Sequence, residues 1–188
     1  KCTTIGQALP GIEVAIINPE TGQICAINEP GEICCRGYNV MAGYYKEPEM
    51  TAKCIDANGW AHSGDIGQMD EQGYFYITGR LKDLIIRGGE NISPKEVEDF
   101  IGHMPGVQDV QLVGVPSKKY GEQPAAFVIP MPDAEITEQD VEDFCRNKIA
   151  WFKIPKYIHF VESYPQTASG KIQKYKLREL AAQLWPDA

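Results

Sequence analysis

The stretch Gly79-Arg80-Leu81-Lys82-Asp83-Leu84-Ile85-Ile86-Arg87-Gly88-Gly89-Glu90-Asn91-Ile92-Ser93-Pro94-Lys95-Glu96-Val97-Glu98 separates two kinds of order in this 188-residue chain. Within it, Leu84–Arg87 and Glu90–Ile92 read as two short strands. Gly88-Gly89 between them supplies the positive φ angles of a two-residue hairpin turn. Ser93 and Pro94 read as an N-cap and a first-turn proline, and Glu96 falls where a capping box wants a carboxylate. The helix expected over residues 94–103 sets Val97, Phe100, Ile101 and Met104 on one face.

Upstream, the order is strand and turn only. Gly11–Asn18 reads as a strand that stops at the turn Pro19-Glu20-Thr21-Gly22, and Gly31–Gly37 as a second strand. Residues 41–48 read as a loop. Gly59–Asp65 and Gly73–Gly79 read as two more strands, joined by the turn Asp70-Glu71-Gln72-Gly73. Short strands at this spacing predict a small antiparallel sheet or barrel. Downstream, strands at Val107–Val115, Ala125–Ile129 and Tyr157–Val161 alternate with helices. Thr137 and Asp140 make a capping box for a helix with Val141, Phe144, Cys145 and Ile149 inside. A last helix, Lys174–Leu184, is expected to bury Leu177, Leu180, Ala181 and Leu184. The expected class is α+β: a β subdomain over residues 1–80, then a compact α+β domain over residues 81–188.

Composition narrows the function. Acidic residues outnumber basic ones 26 to 18, for a net charge of −8. That argues against general nucleic-acid binding, which needs a cationic surface, but leaves room for a local phosphate site. No apolar run approaches the roughly 20 residues that span a bilayer, and the first residues carry no secretory pattern. The six cysteines include Cys34 and Cys35, neighbours inside a strand-like run that does not suit a disulfide framework. No Cys-x-x-Cys occurs, and the three histidines complete no metal spacing. Reduced thiols packed as small core residues, in a cytoplasmic setting, are the expectation, and no metal ligand is assigned.

Five segments in order carry a resemblance. They are Gly31–Gly37 with Gly43, Tyr44 and Pro48; His62-Ser63-Gly64-Asp65; Gly79–Glu98; Trp151-Phe152-Lys153-Ile154-Pro155-Lys156; and Ser169-Gly170-Lys171. Together they resemble the C-terminal signature motifs of the adenylate-forming superfamily, which includes acyl-CoA synthetases, peptide-synthetase adenylation domains and luciferase. The resemblance covers essentially the whole chain and implies a two-step reaction. A carboxylate attacks the α-phosphate of ATP, giving acyl-AMP and pyrophosphate. A thiol, expected to be coenzyme A, then attacks the mixed anhydride.

Roles carry over motif by motif. Asp65 matches the carboxylate that accepts from the ribose hydroxyls, and Arg80 its basic partner near the same ribose. Lys171 matches the catalytic lysine, on the small-residue loop Thr167-Ala168-Ser169-Gly170, expected to be flexible. Lys82 matches the hinge about which the second domain moves as a lid. Gly88 and Gly89, beyond making a turn, match the loop that lines the pantetheine tunnel. The residues alone also support plainer roles. Asp65 suits a turn, Arg80 a surface ion pair, and Lys171, Lys174 and Lys176 the exposed surface. Glu96 and Glu98 suit a helix N-terminal turn. Trp151, Tyr157 and Phe160 suit a core, and Lys153 and Lys156 are solvated lysines within reach of CoA phosphates. His62, Ser63 and Asp65 do not make a hydrolase triad, because adjacent strand residues face opposite ways. His62 reads as a packed strand residue.

No phosphate-binding loop ending in lysine is present, and no Walker motif. The magnesium-binding glutamate implied by the family is missing as well. With no initial methionine, the chain reads as the C-terminal portion of a longer protein whose N-terminal domain it needs. Alone it is expected to be inactive toward acid, ATP and CoA. Two rivals stand beside the acid–CoA ligase: an adenylation domain that loads a carrier protein, and a stand-alone α+β binding module.

Overall fold

Val14 and Ile16 face one side of a strand and Ala15 and Ile17 the other, and both sides are packed. This two-faced strand, β1 (Ile12–Ile17), begins the first of two compact units in a computed structural model that describes residues 4–186. The first unit runs to Lys82 and the second begins at Asp83. In the first, β1 pairs antiparallel with β2 (Gly31–Gly37), β2 with β3 (Ala61–Met69), and β3 with β4 (Phe75–Arg80). The order β1-β2-β3-β4 is an open sheet rather than a closed barrel.

One face of this sheet packs Ala15, Ile17 and Cys34 with Trp60. The other packs Ile16, Ile33 and Phe75 with Val14, Cys25 and Met69. At Gly67 a Cβ would meet the Tyr76 carbonyl oxygen at 2.3 Å, so close backbone approach between β3 and β4 demands glycine there. The loop after β2 leads into a short helix, α1 (Pro48–Cys54), with a first-turn proline and no buried residue. Where the sequence predicts only a loop up to Pro48, a seven-residue helix without an apolar face leaves no 3.6-residue period to detect.

In the second unit the glycine hairpin forms as its sequence predicts. Strands β5 (Ile85–Arg87) and β6 (Glu90–Ile92) pair antiparallel, with Gly88 at φ +60° and Gly89 at φ +90° between them. Helix α2 (Pro94–Ile101) follows. Two long strands, β7 (Val107–Ser117) and β8 (Gly121–Pro130), pair along their whole length. Helix α3 is Glu138–Cys145, β9 is Tyr157–Phe160, and α4 is Lys174–Leu184. Strand β8 is the centre of the sheet. One of its edges carries β7; the other carries β5 at Gly121 and then β9, in parallel, along residues 125–128.

The period of two along β7 and β8 sorts two cores. Val110, Leu112, Ala126 and Val128 face Val97 and Ile101 of α2 and Val141 and Cys145 of α3. Val113, Val115, Ala125 and Phe127 face Leu177 and Ala181 of α4. Helices thus cover both faces of the sheet, which explains its fully buried strands. Phe127 has no exposed surface. Burial of such a side chain contributes roughly 1.5–3 kcal/mol.

Local signals and tertiary contacts disagree at several residues. The Thr137–Asp140 capping box forms as read. The one expected at Ser93 and Glu96 does not, because the Glu96 carboxylate turns to Lys153 Nζ at 2.5 Å. Glu98 does not serve the helix N-terminus either. It accepts from the Leu112 backbone N–H at 2.7 Å and from Lys174 Nζ at 2.6 Å, tying α2 to β7 and α4. Lys153 and Lys174 are thereby paired rather than solvated. Leu184, expected inside, is 39% exposed at the end of α4.

The Glu98–Lys174 pair gives a stability test. Glu98→Ala leaves an ammonium and a backbone N–H without their acceptor. It should lower unfolding free energy by about 2–4 kcal/mol, while Lys95→Ala, which breaks the exposed Lys95–Asp99 pair, costs about 0.5 kcal/mol or less. Urea unfolding of the two variants measures the difference; equal midpoints would contradict it.

Candidate functional site

Asp65 on β3 and Arg80 on β4 are Cα partners in the antiparallel ladder, which sets their side chains on the same face. Arg80 Nε donates to Asp65 Oδ1 at 2.7 Å. Asp65 is a quarter exposed and Arg80 about half exposed, so the pair opens to solvent. Ahead of Asp65, Gly64 takes φ +73° and Ser63 Oγ accepts from the Asp65 N–H at 3.0 Å.

The start of β3 and its neighbour β2 are more occupied than their sequence suggests. His62 Nδ1 lies 2.7 Å from Glu32 Oε2 and 3.4 Å from Cys34 Sγ, and Nε2 lies 3.9 Å from Asp56 Oδ2. The second oxygen of Glu32 accepts the Gly64 N–H at 2.8 Å. His62 is thus held by acidic neighbours and has no role in a serine triad. Burial, helped by Glu32 and Asp56, pushes the Cys34 thiol up to about 12, which leaves it without nucleophilic thiolate at neutral pH. Glu32, Cys34 and His62 are the one grouping of possible metal ligands among the described residues. The carboxylate already bonds the imidazole directly, and a buried thiol does not suit Mg²⁺, which takes oxygen ligands. Glu32 is a site residue that no motif role in the sequence marks. A carboxylate inside an otherwise apolar strand run was the signal available.

In the second unit the candidate residues sit at exposed tips. Gly88 and Gly89 cap the β5–β6 hairpin, and the Gly88 N–H donates to the Tyr120 carbonyl at 2.8 Å. A Cβ at Gly89 would meet nothing, so backbone conformation rather than crowding selects glycine there. Just before them, Arg87 lies between the rings of Tyr120 and Trp151, 5.6 and 5.2 Å from their centroids. Its Nη1 donates to the carbonyls of Phe152 at 2.9 Å, Ile154 at 3.4 Å and Trp151 at 3.5 Å. Burial lowers its pKa below the usual guanidinium value. Trp151, expected in the core, is 66% exposed, because its ring covers Arg87 instead. Tyr157 stacks on Trp185 at 4.9 Å, Phe160 packs against the core beneath α2 and α3, and Lys156 is exposed.

Lys171 ends a tight hairpin. Gln166 and Ile172 form a bridge, the Thr167 N–H donates to the Lys171 carbonyl at 2.8 Å, and Gly170 at φ +80° closes the turn. Thr167 Oγ1 also accepts the Lys171 N–H at 3.1 Å. The loop expected to be flexible is therefore braced by hydrogen bonds. The Lys171 side chain is exposed, and its Nζ meets no partner among the described residues. Lys82 is exposed in a 3-10 turn, Leu81–Asp83. The next residue, Asp83, accepts from Arg178 of α4 at 2.8 Å. Tyr44 is exposed, beside the Cys54 thiol at 4.0 Å. No helix is long and apolar enough to cross a membrane among the described residues.

The family described as AMP-binding enzyme matches residues 1–45, and the one described as AMP-binding enzyme C-terminal domain matches residues 96–171. The rat (Rattus norvegicus) medium-chain acyl-CoA ligase ACSF2, mitochondrial, is 50% identical over 95% of this chain and 29% of its own length. ATP-bound MatB from Rhodopseudomonas palustris is 39% identical over 97% of this chain and 36% of its own, with a TM-score of 0.93. Apo MatB, with the same identity and coverage, gives 0.72, so MatB itself differs between these two structures over the matching region. The o-succinylbenzoate CoA synthetase MenE from Bacillus subtilis, in complex with its acyl-adenylate intermediate, is 33% identical over 95% of this chain and 36% of its own, with a TM-score of 0.84. The chain spans about a third of the length of the curated relatives it matches.

Proposed function

The chain belongs to the adenylate-forming superfamily of AMP-binding enzymes, and from that premise we propose that it is the C-terminal part of an acid–CoA ligase. In the first step an acid's carboxylate oxygen bonds to the α-phosphorus of ATP and the bond to pyrophosphate breaks. In the second, the sulfur of CoA bonds to the acyl carbon and AMP leaves. The observation that carries the reading is Lys171: an unpaired cation at the end of a braced hairpin, in the motif position of the catalytic lysine. A cation there offsets the repulsion between an anionic nucleophile and the α-phosphate.

The remaining roles fit around it. Asp65 accepts from the vicinal ribose hydroxyls, and Arg80 holds Asp65 on the solvent side of the sheet. Lys82 is the pivot, in the motif position of the hinge and exposed at the boundary between the two units. Residues 81–188 are the lid. Gly88 and Gly89 present bare backbone to the pantetheine arm. The thiol is CoA rather than a carrier protein, as it is in the names of ACSF2 and MenE. The free thiols of Cys25, Cys34, Cys35, Cys54 and Cys145 fit a reducing compartment such as the cytoplasm.

The test is an acid panel with the full-length protein, read as acid-dependent pyrophosphate release and then as CoA thioester. At least one carboxylic acid supports both, and residues 1–188 alone support neither. In the active protein, Asp65→Ala raises KM for ATP by about tenfold or more, since it removes a charge-assisted acceptor from the ribose. Pyrophosphate release from no acid, or an unchanged KM for ATP, would count against the reading.

A further inference from the structure

We infer that Glu32 is a positioning residue for nucleotide binding, whose buried carboxylate fixes the His62–Asp65 segment so that Asp65 is presented to the ribose. The inference rests on the proposed ribose role of Asp65. Among the described residues Glu32 is the one buried acidic side chain, 5% exposed. Removing a carboxylate from water costs several kcal/mol unless partners compensate. Both oxygens here have a partner. Oε1 accepts the Gly64 N–H at 2.8 Å and Oε2 faces His62 Nδ1 at 2.7 Å. The imidazole is backed on its far side by Asp56, itself fixed by the N–H groups of Asn58 and Trp60 at 2.9 and 2.8 Å.

These two grips fall immediately before Asp65 in the chain. Gly64 sits in the left-handed region, and nothing lies within 4 Å of where its Cβ would be. No side-chain packing fixes this position; alongside the Asp65–Arg80 ladder pairing and the Ser63 hydroxyl on the Asp65 N–H, the Gly64 N–H is anchored on the Glu32 carboxylate. The register between β2 and β3 also shifts between Glu32 and Cys34. Such irregularities re-aim side chains beside functional sites. The result is a line of contacts across three strands, from Asp56 through His62, Glu32 and Gly64 to Asp65 and Arg80. Glu32 touches no substrate in this arrangement. It acts through the Gly64 N–H and the His62 ring, and a misplacement of a binding group by an ångström is costly.

The experiment uses the active full-length protein. Glu32→Gln keeps the side-chain size, removes the charge and offers an N–H to the imidazole. It should raise KM for ATP by about tenfold while kcat and the KM values for acid and CoA stay within about threefold, with Tm within about 3 °C. His62→Gln leaves the carboxylate but withdraws one of its two anchors. It should raise the same constant by about fivefold, and it carries the test if Glu32→Gln does not fold. A KM for ATP within about twofold of the unsubstituted protein in the folded variants overturns the inference. So does a uniform loss in every constant with a fall in Tm, the mark of a merely structural role. Asp65→Ala, measured alongside, separates the two readings. If it raises KM for ATP and the Glu32 and His62 variants do not, only this inference falls. If it leaves KM for ATP unchanged, the ribose role falls and the inference falls with it.

Discussion

Lys171→Ala in the full-length protein is expected to lower acyl-AMP formation by at least about 100-fold, equivalent to about 2.7 kcal/mol of barrier. Thioester formation from supplied acyl-AMP should stay within about threefold of the unsubstituted protein. The difference follows from where charge builds up. In the first half-reaction an anionic carboxylate approaches a phosphate, and a cation between them is worth most there. In the second, a thiol attacks an anhydride already made, and Lys171 has no such charge to offset. The hairpin is held by the backbone of Lys171 and by Thr167, so an alanine at position 171 leaves the turn intact. Pyrophosphate release and CoA-thioester formation, assayed separately, check the result. Equal loss in both half-reactions would show that Lys171 is not specific to adenylation.

Lys82→Pro is expected to do the reverse. Acyl-AMP formation stays within about threefold, and thioester formation falls by about 100-fold or more. Proline fixes φ at position 82 and narrows the conformations open to Leu81. If Lys82 is the proposed pivot, a joint that would need two backbone conformations then keeps one. Lys82→Ala, which removes the side chain but not the backbone freedom, should leave both half-reactions within about threefold. A proline variant with unchanged thioester formation would remove Lys82 from the pivot role.

The residues differ in how far their sequence alone could be read. Gly88-Gly89 was legible because a two-residue turn needs two positive φ angles, and few residues supply them. The Thr137–Asp140 box was legible because its partners lie three residues apart. Ser93 and Glu96 carry the same spacing, yet Lys153, 57 residues on, takes the Glu96 carboxylate. Local patterns cannot report a competitor that arrives only with the fold. Glu98 failed in the same way, since its partners come from β7 and α4. Trp151 failed for a different reason. An aromatic ring was read as core, but Arg87 is the buried group and the tryptophan is its cover. In the candidate site, Asp65 and Arg80 were matched by motif, and their pairing by register adds a reason for both. Glu32 stayed silent because strand periodicity marks which face a residue takes, not which backbone N–H it will reach.

The ion pair between Asp83 and Arg178 bears on how motion at Lys82 would be transmitted. It fastens the first residue of the second unit to α4, while Arg80, three residues earlier, is fastened to Asp65. Each clamp stiffens the chain on its own side. Between them lie Leu81 and Lys82, with two soft torsions apiece. If Lys82 is the proposed pivot, a joint this short would act as an axle rather than a tether, with little slack in between. Loosening the Arg178 clamp would then lengthen such a joint by a residue.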